Sequence, residues 1–154
     1  MRLYLVQHGE AKSKQEDPER SLTDSGVRAV GKVAGWIRAQ GLTVHAIWHS
    51  SKQRAVQTAE ILSPAFHTES GPVERDGLAP RDDVGPILKD VLANGQDLVL
   101  VGHLPFLDRL ASRLVAADES AGVVAFRYGC MVCLEQDEAE AWQVRWMLIP
   151  ELLP

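Results

Sequence analysis

Three short stretches of the 154-residue chain hold the side chains best suited to chemistry: Gln7-His8-Gly9-Glu10, Ser50-Ser51-Lys52-Gln53-Arg54 and Gly102-His103-Leu104-Pro105. Two histidines and an arginine form a set suited to a phosphoryl group. A neutral imidazole is a nucleophile that needs no separate base, and it can hold a phosphoryl group covalently. A guanidinium offers a planar fork of donors to the phosphoryl oxygens. A second imidazole, when protonated, hydrogen-bonds the equatorial oxygens as their charge redistributes. The scheme calls for no metal and no cofactor. Cys130-Met-Val-Cys133 has no second Cys/His pair at zinc spacing and reads as packing.

Each stretch follows a short apolar run that reads as a buried strand: 2–6, 44–48 and 97–101. Between them lie helical patterns. Val27, Val30, Val33, Ala34 and Ile37 recur at three- and four-residue spacing behind a Thr23 or Asp24 cap, up to Gly41. A second helix runs through Arg54 and Leu62 to just before Pro64, and a third spans Val84 to Asn94 with Gly95 as its cap. A fourth starts with Pro105 near its first position. Ser50 and Ser51 read as caps of the second helix. The stretch 63–83 holds at most a short strand near 68–73, and Gly122–Glu135 and Ala141–Ile149 read as two final strands. This alternation predicts an α/β fold, a three-layer α/β/α sandwich with a mostly parallel sheet and antiparallel edge strands. In such sheets the ligand sits outside the carboxyl ends of the strands, which is where all three stretches fall. Helices starting near 51 and 105 aim backbone N–H groups at that edge, where an anion would sit well.

Composition narrows the function classes. Hydrophobic residues are 45% and charged residues 24%, as in an ordinary globular chain, and 154 residues suit one domain, 1–154. A net charge of −5 with no basic run argues against nucleic-acid and membrane-surface binding. The N-terminal segment lacks the apolar region of a signal peptide, so the two cysteines are expected reduced in the cytoplasm. His45, His49 and His67 lack a partner pattern and read as surface or strand-end residues. The four tryptophans read as packing.

At these residues the chain resembles the histidine phosphatase superfamily. Gln7-His8-Gly9 stands where the family has Arg-His-Gly. Ser50-Ser51-x-x-Arg54-Ala55-Val-Gln57-Thr58-Ala59 is similar to its second motif, and Gly102-His103-Leu104-Pro105 to its third. Glu10-Ala11, Arg20-Ser21-Leu22-Thr23-x-x-Gly26 and Leu78-Ala79-Pro80 point to the small SixA-type branch, the phosphohistidine phosphatases. The resemblance implies a phosphoglycerate mutase-like fold and His8 as the phosphorylated nucleophile. It implies Arg54 and His103 as catalytic groups in the phosphate pocket, with Gln7 and Gly9 beside them. Arg20 matches an arginine near the pocket mouth and, with Ser51, is a candidate substrate contact.

Two features depart from that pattern. Gln7 replaces the motif arginine and removes one fixed charge, a loss of about 1–2 kcal/mol if its amide still donates. Larger family members place a carboxylic acid over the leaving oxygen; Glu10, Asp82 and Asp83 are candidates here, and spacing selects none of them. A phosphohistidine leaving group relaxes that need, because its imidazole is protonated by solvent or carries a proton on its other nitrogen. The expected function is hydrolysis of phosphohistidine on a phosphotransfer protein. A small-molecule phosphomonoesterase and a weakly active phospho-ligand binding module are the alternatives.

Overall fold

Leu3, Leu5, Leu98 and Leu100 alternate with Tyr4, Val6, Val99 and Val101, and all eight are buried. Strands apolar on both sides must be covered on both sides, and that requirement sets the layers. The computed structural model describes residues 1–154. Its strands are β1 (Arg2–Gln7), β2 (Ala46–His49), β3 (Val73–Glu74), β4 (Leu98–Gly102), β5 (Met131–Gln136) and β6 (Trp142–Leu148). They form one sheet in the order β3-β2-β4-β1-β5-β6. The first four are parallel, and β5 and β6 add antiparallel at one edge.

Helices α1 (Asp24–Gln40) and α2 (Gln53–Leu62) cover one face, packing Val33, Ile37, Ala59 and Leu62 against Tyr4, Val6 and Val99. Helices α3 (Val84–Asn94) and α4 (Phe106–Ala116) cover the other, with Ile87, Val91, Phe106 and Leu110 against Leu3, Leu5 and Leu100. None of the helices is long and apolar enough to cross a membrane. The three-layer fold is as the alternation predicts.

The elements differ from the sequence reading in instructive ways. The α1 cap is Thr23, whose hydroxyl accepts from Gly26 N. Val27 is 43% exposed, and Gly26 takes its expected place facing inward. A Cβ at Gly26 would meet Glu10 O at 2.3 Å, so only glycine lets α1 lie this close to the chain behind His8. The second strand starts at Ala46 and not at Val44, whose N–H turns away to His67 O. Helix α2 starts at Gln53 behind Lys52, with no side chain capping it, so neither Ser50 nor Ser51 is its cap. Pro105 lies one residue before α4, at the N-cap. Residues 122–130 are not strand. Gly122 N and Val123 N donate to Ser112 Oγ, and the ladder with β1 stops at Val6 opposite Met131.

Candidate active site

His8 lies one residue past β1, and its own N–H donates to Gly102 O at the end of β4 (3.0 Å). Its ring Nδ1 lies 2.7 Å from Gly9 O. A carbonyl only accepts, so Nδ1 carries the proton and Nε2 carries the lone pair. That lone pair faces α2. Arg54 Nε donates to it across 3.3 Å. The arginine is in turn located by its own helix: Thr58 Oγ1 donates to Arg54 O (2.7 Å) and accepts from Gly9 N (3.0 Å). Gln57 Oε1 accepts from Leu22 N. The Gln57-Thr58 pair thus fastens α2 to the backbone at Leu22 and at Gly9, the residue after His8.

His103, 1% exposed, closes the opposite side, with its ring centroid 5.0 Å from that of His8. Its Nε2 lies 2.8 Å from Ser50 Oγ. Its Nδ1 is buried without a partner, and so is Gln7 Oε1; the chain has no other such side-chain atom. Unpaired buried polar atoms are rare in folded proteins. Here both belong to the two residues flanking His8 in space and in sequence. If the Ser50 hydroxyl donates to Nε2, a neutral His103 presents Nδ1–H as a free donor. That meets the need for a second donor without the protonation expected from sequence.

Burial, opposed by the bond to Gly9 O and reinforced by Arg54 and Arg20, pushes the His8 imidazole down to about 4. Burial, then the charges of His8, Arg54, Lys52 and Arg20, takes His103 down to about 3. Arg54 is also shifted down, by burial and by Arg20. Both imidazoles are therefore neutral at pH 7. After burial, the remaining downward causes share one feature: cations gathered at this edge of a net-negative chain. Arg20 contributes from a left-handed backbone (φ 52°) with its Nε held by Lys12 O.

The carboxylates named from sequence have other partners. Asp82 accepts from Ala79 N, Asp83 caps α3 through Gly85 N, and Glu10 is exposed and bonded to the Thr23 hydroxyl. Ser51 is exposed. Gly9 is tightly enclosed: a Cβ would meet Val30 Cγ2 at 2.9 Å, so helix packing fixes its lack of a side chain. His49 ends β2 as expected but is buried, with Nδ1 bonded to Ser50 O. Sequence reasoning passed over four residues. Ser50 orients His103, Thr58 bonds Arg54 O, Gln57 ties α2 to Leu22 N, and Tyr128 places its ring centroid 5.5 Å from that of His8. The motif spacing contained the first three; nothing in sequence marked Tyr128.

Residues 3–82 match the histidine phosphatase superfamily (branch 1). An uncharacterised protein of Picosynechococcus sp. is 35% identical over 84% of this chain and 86% of its own length. The phosphohistidine phosphatase SixA of Escherichia coli is 25% identical over 97% of this chain and 94% of its own. A solved structure of the protein histidine phosphatase SixA complexed with tungstate superposes with a TM-score of 0.83, at 23% identity and 97% coverage of both chains.

Proposed function

The chain belongs to the histidine phosphatase superfamily, and within it we propose a cytoplasmic phosphatase that hydrolyses the N–P bond of phosphohistidine on a phosphotransfer or signalling protein. The observation that carries this reading is the arrangement around His8 Nε2. Its tautomer is fixed by Gly9 O, a guanidinium lies on one side, and an unpaired buried donor lies on the other.

His8 Nε2 attacks phosphorus in line. The substrate P–N bond breaks, its electron pair stays on the leaving imidazole nitrogen, and solvent supplies the proton. Arg54, whose Nε lies 3.3 Å from His8 Nε2, donates to the phosphoryl oxygens, where a charge-assisted fork is strongest. His103 Nδ1–H donates to a second oxygen, and Gln7 contributes its amide NH2. Water then attacks phosphorus on phospho-His8, releasing inorganic phosphate and restoring the neutral ring. The route needs no metal. Arg20 and Ser51 are the proposed contacts to the carrier. The carboxylates support N–P over O–P chemistry, since Asp82 is committed to a turn, Asp83 to a cap and Glu10 to the Thr23 hydroxyl.

Phosphate release from a phosphohistidine peptide and from p-nitrophenyl phosphate, by wild type, His8→Ala and Gln7→Arg, tests this. The expected result is faster release from the peptide, lost in His8→Ala and raised in Gln7→Arg. Preference for the monoester would replace this reading with a small-molecule phosphomonoesterase. No release, with tight binding of a phosphate analogue, would make the chain a binding module.

A further inference from the structure

A cavity of about 580 Å³ lies beside the proposed phosphoryl site, between the N-terminal half of α1 and the 126–128 loop. Gln7 and Tyr128 line it and also border His8, so the two spaces share a wall. Gln7 is 6% exposed and its Oε1 has no partner. Tyr128 is half exposed, yet its backbone is pinned: Gly129 N–H donates to Gln7 O (3.0 Å) and His8 O (3.1 Å). An aromatic ring held open to solvent beside a nucleophile is placed to touch a ligand.

The cavity's charge gives the ligand's character. Arg28, Lys32 and Arg127 line it against Glu10 and Glu151, a surplus of one positive charge in a chain of net −5. Arg2, Arg75, Arg109, Arg113 and Arg145 all pair with carboxylates elsewhere. Arg28 and Arg127 make no ion pair. Unneutralised guanidiniums around a cavity are prepared for an anion from outside.

We propose that this cavity binds the segment of the substrate protein next to the phosphorylated histidine and takes an acidic side chain from it. The inference rests on the phosphohistidine reading above. A phosphoryl group at His8 brings its carrier chain out past Tyr128. An extended chain advances roughly 3.3–3.6 Å per residue, so a neighbour one or two positions away reaches the cavity. The substrate imidazole then lies against Tyr128 while the neighbouring carboxylate meets Arg127 and Arg28.

Fluorescence anisotropy with two labelled peptides, identical except for Asp/Glu or Lys beside the histidine, tests it. At low ionic strength the acidic peptide should bind wild type at least about fivefold more tightly. A folded Arg28→Glu/Arg127→Glu variant should lose or invert that preference, and Tyr128→Ala should weaken binding of both peptides. Equal binding by wild type, or a preference that survives charge reversal, overturns the proposal. Both anisotropy peptides carry a non-hydrolysable phosphohistidine analogue, so binding is read without turnover. Failure of a phosphohistidine peptide to release phosphate would therefore count against the phosphohistidine reading alone.

Discussion

The parallel half of the sheet and its antiparallel edge have the same kind of core and different relations to the site. Strands β1, β2 and β4 each run into a polar residue at their carboxyl ends, and those ends are cross-tied: His8 N to Gly102 O, and Ser50 N to Val101 O. Strands β5 and β6 pair over twelve matched residues of hairpin yet contribute no side chain to the imidazole pair. Their contribution comes through the irregular stretch before β5, which carries Tyr128 and Arg127 to the site from outside the sheet. Direction explains the difference. Parallel strands gather all their carboxyl ends at one edge, whereas a hairpin brings only a loop.

The largest expected effect breaks the parallel half. His8→Ala should lower kcat by about 10³-fold or more in phosphate release, since no other group can take its proposed covalent role. Arg54→Ala should cost about 10²- to 10³-fold, read as kcat/KM, with Arg54→Lys restoring part but not the fork. Acid should loosen the same half. A histidine held below its ordinary 6.5 stays neutral in the fold while the unfolded chain takes up protons. Stability is then unaffected above 6.5 and falls as pH drops toward about 4 for His8 and about 3 for His103. Each costs about 2 kcal/mol by pH 5. Urea melts at pH 8 and 5 should show that loss, and His103→Gln should remove its share of it. Gln7→Arg should tighten tungstate binding about tenfold by calorimetry, corresponding to about 1–2 kcal/mol. At the antiparallel edge, Val144→Thr, 40% exposed on β6, should change stability by about 0.5 kcal/mol or less and leave turnover at the wild-type rate.

Legibility follows the same division. The core strands, α3 with its Asp83 and Gly95 ends, and α1 with its Thr23 cap were readable because local periodicity and local caps coincide. His8, Arg54 and His103 were readable as a set because each follows a buried run. Their orientations were not. The Ser50 hydroxyl serves His103 instead of its own helix, a choice made by a residue 53 positions away. The 122–130 segment reads as a strand, but the β1 ladder stops at Met131, and Ser112 Oγ takes the N–H groups of Gly122 and Val123. Tyr128 was invisible for that reason: its place depends on Gly129 reaching the carbonyls of Gln7 and His8.

Rapid acid-free quench of the enzyme during turnover of a phosphohistidine peptide, followed by peptide mapping, tests the central claim most directly. The account predicts a phosphoryl group on His8 alone, stable to base and lost in acid, and absent from His8→Ala. Sustained turnover with no phosphorylated His8, or with the phosphoryl group on another residue, would contradict it.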